Sequence, residues 1–106
     1  MPYKLYPKAK QQLAKIWADT YQEWGEAQAD KYIDGLHSKL KDLKNTPYLW
    51  RKLDHKKFQG KSIFFYRYEK HFVFFKELSS GKLGIISVLH ERMNLPERLY
   101  EMITEH

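Results

Sequence analysis

Leu83-Gly84-Ile85-Ile86-Ser87-Val88-Leu89, followed at once by His90-Glu91-Arg92-Met93-Asn94, is the stretch that decides the fold. An apolar, β-branched run of this length reads as a buried strand when it is bounded by Ser79-Ser80-Gly81-Lys82 before it and a polar exit behind it. The exit carries the residue types of acid–base chemistry, which makes it the chain's one catalysis-capable cluster. Two further runs rich in aromatic and β-branched residues precede it, Ser62 to Tyr68 and Phe72 to Glu77. Glu69-Lys70-His71 and Ser79-Ser80-Gly81-Lys82 are short enough to join the three as hairpins, giving an antiparallel meander. Phe64 and Phe65, like Phe74 and Phe75, would point to opposite faces of a strand, so both faces of part of this sheet are expected to be covered.

The cover for one face comes from the first half of the chain. Ala9, Leu13, Ile16, Trp17, Thr20 and Trp24 recur at three and four, the spacing of one helix face, and Gly25 closes that helix. The pattern resumes from Glu26 with Ala29, Tyr32, Ile33, Leu36, Leu40 and Leu43. Acidic Glu26 and Asp30 in its first turn and Lys39, Lys41 and Lys44 in its last both match the helix dipole. The two helices form an antiparallel hairpin. Ahead of them Tyr3 to Tyr6 alternates as a short strand and stops at Pro7, which suits the first helical position because its missing N–H has no partner there. Asn45-Thr46-Pro47 ends the second helix, and a basic loop follows, with Arg51, Lys52, His55, Lys56 and Lys57 against Asp54. The resulting order is β-α-α-β-β-β, an α+β fold in which an antiparallel sheet packs against an N-terminal helical hairpin. Residues 1–106 read as a single domain; within it Pro96 is placed to open a C-terminal helical extension over 96–106, with Leu99, Met102 and Ile103 at helical spacing. That tail or a partner is the expected cover of the second sheet face.

Nineteen Lys and Arg against thirteen Asp and Glu give a net charge of +6, an excess that favours acidic partners. The absence of cysteine excludes disulfides and zinc–thiolate sites. No stretch is long and apolar enough for a signal peptide or a bilayer span, so a soluble, cytoplasmic protein is expected. His37, His55, His71 and His90 lack paired ligand spacing, and the five glycines are scattered. Neither a metal site nor a phosphate-binding loop is predicted, and no cofactor.

Three segments carry a family resemblance: Trp24-Gly25-Glu26-Ala27-Gln28-Ala29-Asp30-Lys31-Tyr32, Tyr66-Arg67-Tyr68-Glu69-Lys70-His71-Phe72-Val73-Phe74-Phe75, and Val88-Leu89-His90-Glu91-Arg92-Met93-Asn94-Leu95-Pro96. In this order and spacing they resemble the ParE toxins of bacterial type II toxin–antitoxin systems, within the RelE/ParE superfamily, from Tyr3 to about Pro96. The resemblance implies the same fold, a ParD-like antitoxin as partner, and DNA gyrase as a target poisoned by binding, without a reaction of the toxin's own. The chain departs from its relatives at Phe75-Lys76, where they often carry an arginine, and in running on past the last motif to His106. The superfamily also contains ribosome-dependent mRNA endonucleases, and these are the principal alternative. A third reading, from another class, is a small basic nucleic-acid-binding module.

The candidate residues divide along the same lines. RNA cleavage needs a base for the 2′-hydroxyl, an acid for the leaving oxygen and cations for the phosphate, types supplied by His90, Glu91, Arg92 and Arg67. His90 and Glu91 face opposite ways in a strand, so they serve one site only if the chain bends there. The blander reading has His90 and Arg92 capping the sheet edge. Arg67, between Tyr66 and Tyr68, is read as a bidentate contact to a partner carboxylate or as a solvated position. His71 is expected in a turn-stabilising hydrogen bond. Tyr66 by stacking, and Lys56, Lys57 and Arg92 by charge, complete the candidate binding set. Trp17 and Trp24, seven apart with Tyr21 beside them, are read as core or helix-hairpin contacts, with the core as the default. One of them left exposed would instead anchor an antitoxin helix.

Overall fold

A computed structural model describes residues 2–53 and 62–91 of the chain. His55, Lys56, Lys57, Arg92 and the helix expected over 96–106 lie outside the described residues. Strand β1 (Tyr3–Leu5) leads into helix α1 (Pro7–Trp24), and helix α2 (Glu26–Leu43) returns antiparallel to it. A 3₁₀ turn at Pro47–Leu49 and a two-residue strand, β2 (Arg51–Lys52), precede the meander of β3 (Phe64–Tyr68), β4 (His71–Glu77) and β5 (Leu83–His90). Pro7 opens α1 as its fixed backbone angle suggests.

Gly25 alone separates the two helices. Its N–H closes α1 on the Tyr21 carbonyl at 2.8 Å while its own carbonyl takes the Ala29 N–H of α2 at 3.1 Å. It does so at φ 91°, ψ 174°, a region essentially restricted to glycine. Next to this tight link the Trp17 indole N–H donates to Asp30 Oδ1 at 2.9 Å, tying the helices side by side. At the far end of α2 the Trp50 indole N–H donates to the Leu43 carbonyl at 2.7 Å, satisfying one of the carbonyls that a helix terminus leaves over.

The strands form one sheet in the order β1-β5-β4-β3-β2, mixed rather than wholly antiparallel because β1, separated from the meander by the helical hairpin, lies parallel beside β5. β1 joins parallel to β5 in the register Tyr3↔Leu83 and Leu5↔Ile85, and the other pairs are antiparallel. The meander is as the sequence predicts, with two additions: β2, too short to show periodicity within a basic loop, and a tighter first hairpin. Tyr68 pairs with His71, so the turn is Glu69-Lys70 alone, with Glu69 at φ 52°, and His71 belongs to the strand.

Between β4 and β5 the register slips at Phe74/Phe75, where Phe74 faces Ser87 and Phe75 faces Ile85, leaving Ile86 as the extra residue of a bulge. β1 ends close to the same level, its last contact being the Tyr6 N–H on the Ile85 carbonyl at 3.0 Å. From α1 the Gln12 side-chain carbonyl then accepts the Val88 N–H at 2.7 Å and the Ser87 hydroxyl at 3.0 Å. A side chain thus continues the edge pairing where the strand stops.

Both sheet faces are apolar. Leu13, Ile16, Leu36, Leu40 and Leu43 of the helices pack on Val73, Phe75, Ile85 and Val88. On the opposite face Ile63, Phe74, Ile86 and Leu89 are buried, with Tyr6, Leu53, Phe65 and Phe72 against them. Core placement is corrected for Trp24, 68 % exposed, and Tyr21, 48 % exposed, whereas the half-buried Trp17 makes the hairpin contact to Asp30. The buried stripe of α1 is Ala9, Leu13 and Ile16. Trp17, Tyr21 and Trp24, spaced four and three, form a second stripe beside the first, about 80° round the helix.

Gly25→Ala is expected to destabilise the fold by about 1–3 kcal/mol through backbone strain, because nothing lies within 4 Å of the added methyl. Gln12→Ala, which strands the Val88 N–H, should cost about 1–3 kcal/mol. Urea unfolding of both variants checks the two values.

Candidate functional site

The candidate residues gather where the β3–β4 hairpin and the end of β5 meet α2. Strand pairing sets His71 opposite His90, and their rings meet edge to face with centroids 5.1 Å apart. Tyr32, on the first turns of α2, reaches across to the hairpin. Its hydroxyl shares a 2.7 Å hydrogen bond with His71 Nδ1, and its ring packs edge-on against Tyr68 at 5.3 Å. An open cleft of about 620 Å³ lies above these residues, walled by Asp19, Glu23 and Trp24 of α1, Lys31 of α2 and Lys70 of the turn.

Burial, reinforced by the neighbouring His90, pushes the His71 imidazole down to about 4. Burial likewise pushes the Tyr32 phenol up to about 12. Near neutral pH both are uncharged, so their hydrogen bond is one between neutral groups. A general base works best with its pKa near the operating pH, and a general acid likewise. The Tyr32–His71 pair sits far from that condition on both sides.

The other half of the candidate set lies on the opposite sheet face. Arg67 alternates with Tyr66 and Tyr68, which pack on the helix-facing core, and its guanidinium lies 5.7 Å over the Phe72 ring. An Arg67 Nη donates to Glu91 Oε2 at 2.6 Å and Nε donates to the Glu69 carbonyl at 3.0 Å. The Glu91 N–H in turn donates to the Lys70 carbonyl at 2.9 Å, so residue 91 is held to the turn by backbone and side chain.

The chain therefore brings together His71 with His90, and Arg67 with Glu91, but sends the two pairs to different faces. His90 lines the cleft while Glu91 pairs with Arg67, the opposition that strand alternation implies. Arg67 stays largely exposed while pairing with the Glu91 carboxylate. Tyr66 is half-buried against the core. The hydrogen bond expected for His71 exists, but its partner is a helix side chain rather than the turn. Arg92, Lys56 and Lys57 fall outside the described residues. Sequence reasoning did not single out Tyr32 as a site residue: it belongs to the apolar stripe of α2, and nothing in its spacing separates a core tyrosine from one whose hydroxyl reaches a histidine 39 residues on. Among the described residues no three His, Asp or Glu side chains converge in a way that would hold a metal ion. No helix among them is long and apolar enough to cross a membrane.

A family model described as the ParE toxin of the type II toxin–antitoxin system parDE matches residues 3–95. The chain belongs to the ParE toxin family. Among characterised relatives it is similar to the protein named Toxin ParE1 in two strains of Mycobacterium tuberculosis, at 28 % identity over 92 % of this chain and 96 % of the relative. The match runs from β1 through the whole meander, so the helix hairpin, the cleft and the Arg67–Glu91 pair all lie within the ParE domain.

Two measurements probe this site. An unfolded histidine titrates near 6.5 and folded His71 near 4, so between those values the unfolded chain binds the extra proton. The contribution of His71 to stability is complete above about pH 6.5 and falls as pH drops toward 4. Urea unfolding at pH 7.5 and 5 should show a smaller loss of stability in His71→Asn than in the parent. Arg67→Ala, which breaks an exposed pair, should cost less than about 1 kcal/mol by the same assay.

Proposed function

We propose that this ParE-family toxin acts by binding DNA gyrase and poisoning it, and that a cognate ParD-like antitoxin neutralises it. The observation that carries the reading is the family match over residues 3–95, which takes in every described element. The chemistry of the site supports action by occupancy rather than by reaction. His71 is a weak base, the Tyr32 phenol is held protonated, and Arg67 and Glu91 neutralise each other on the far face. The net charge of +6 suits a partner whose toxin-wrapping segment is acidic. Gyrase as target places the action of the toxin in the cytoplasm.

The alternative is ribosome-dependent mRNA cleavage, favoured by the in-register His71–His90 pair on the wall of a cleft. Purified chain incubated with gyrase, ATP and relaxed plasmid, with translating ribosomes and mRNA in parallel, separates the two. Loss of supercoiling or accumulation of cleaved plasmid, with intact mRNA, is the expected outcome. Ribosome-dependent cuts abolished by His90→Ala, with gyrase unaffected, would replace this reading by the nuclease one. Addition of the cognate antitoxin should restore supercoiling.

A further inference from the structure

The charges of this chain are not spread evenly along its helical hairpin. Residues 39–52 carry Lys39, Lys41, Lys44, Arg51 and Lys52 against one acid, Asp42, so a stretch of fourteen residues holds +4 of the total +6. All five bases are exposed, and the ion pairs made among the described residues, Lys15–Asp19 and Arg67–Glu91, use none of them. At the Gly25 end the balance reverses: residues 19–31 hold Asp19, Glu23, Glu26 and Asp30 against Lys31. An 18-residue helix is about 27 Å long, which sets the two poles that far apart.

The basic pole also carries the most exposed large apolar side chain among the described residues. Tyr48 is 81 % exposed on the 3₁₀ turn, with Leu49 beside it at 42 %, directly ahead of Arg51 and Lys52 in β2. Trp50, the next residue, is held inward by its indole bond to the Leu43 carbonyl, which fixes the turn against the end of α2. An apolar pair on a fixed turn, flanked by cations that form no ion pair among the described residues, has the form of a binding surface with an apolar anchor and a charged rim.

We infer that the Tyr48–Leu49 turn, with Arg51, Lys52, Lys41 and Lys44 around it, docks an acidic polypeptide segment that carries an aliphatic or aromatic anchor residue. The sign of the surface selects an acidic partner and steers it away from the acidic Gly25 pole. The aliphatic Leu49 favours a peptide, whose apolar side chains can pack on it, while the Tyr48 ring by itself suits either partner. This inference extends the antitoxin part of the proposed function by giving the partner a surface and a chemistry. It does not depend on gyrase being the target: a chain inert toward gyrase that binds an acidic segment here leaves it standing.

The test is fluorescence anisotropy of the full chain with a labelled synthetic peptide of glutamate, leucine and phenylalanine, alongside a lysine–leucine–phenylalanine counterpart and a single-stranded oligonucleotide of matched charge. The acidic peptide should bind, more weakly at high salt, and the lysine peptide should not. Arg51→Glu/Lys52→Glu should weaken binding at low salt by about tenfold or more. Tyr48→Ala/Leu49→Ala should weaken it by about fivefold to tenfold at every salt concentration, while Lys15→Glu leaves it unchanged. All the substituted side chains are exposed, and thermal melts matching the parent establish that the variants are folded. Absence of peptide binding, parental affinity in both double variants, or tighter binding of the oligonucleotide at this surface would overturn the inference.

Discussion

Strand β5 is paired along both edges, and satisfying its backbone shapes the rest of the molecule. On one side β4 follows it from His71 to Glu77; on the other β1 is only three residues long and stops beside the bulge. Burial makes an unpaired N–H expensive at that point, and the Gln12 side chain meets the need by reaching down from α1. That contact fixes where α1 lies relative to the sheet. The single-residue link at Gly25 then carries the position to α2, and α2 sets Tyr32 over the hairpin. The cleft is therefore a product of how the interior of the sheet is satisfied, several steps removed from the residues that line it.

Most of the architecture was legible because it rests on periodicity. The three- and four-residue spacings gave both helices, the β-branched runs gave three strands, and paired aromatics such as Phe64-Phe65 and Phe74-Phe75 gave a sheet apolar on both faces. What escaped is what periodicity does not encode. β2 has two residues, the bulge adds one, and Gln12, Trp50 and Tyr32 act through side-chain atoms whose targets lie elsewhere in the chain. The α1 aromatics show a second limit: Trp17, Tyr21 and Trp24 have helical spacing, but of a stripe beside the buried one, and spacing alone does not say which stripe meets the sheet.

The site was legible in part. Strand alternation implies the separation of His90 from Glu91 seen in the structure, and the polar exit of β5 lies at the end of the sheet where the cleft opens. The sequence had no means of pairing Arg67 with Glu91, 24 residues away, or His71 with Tyr32. Those pairings divide the candidate set, Arg67 going to Glu91 on one sheet face and His71 to Tyr32 on the other.

The parallel β1–β5 pair also governs how the chain folds. Its partners, Tyr3 with Leu83 and Leu5 with Ile85, are 80 residues apart, whereas the helix hairpin and the meander are built from neighbours. Local contacts form early and distant ones late, since closing a long loop must precede any gain from it. During synthesis the helix hairpin emerges with its apolar face bare, and the interior strand β5 arrives only after the helices and the other strands of the sheet. Until then the surface that will hold the core remains open, and the interval in which a chaperone would be needed is set by the length of the intervening chain rather than by its final stability.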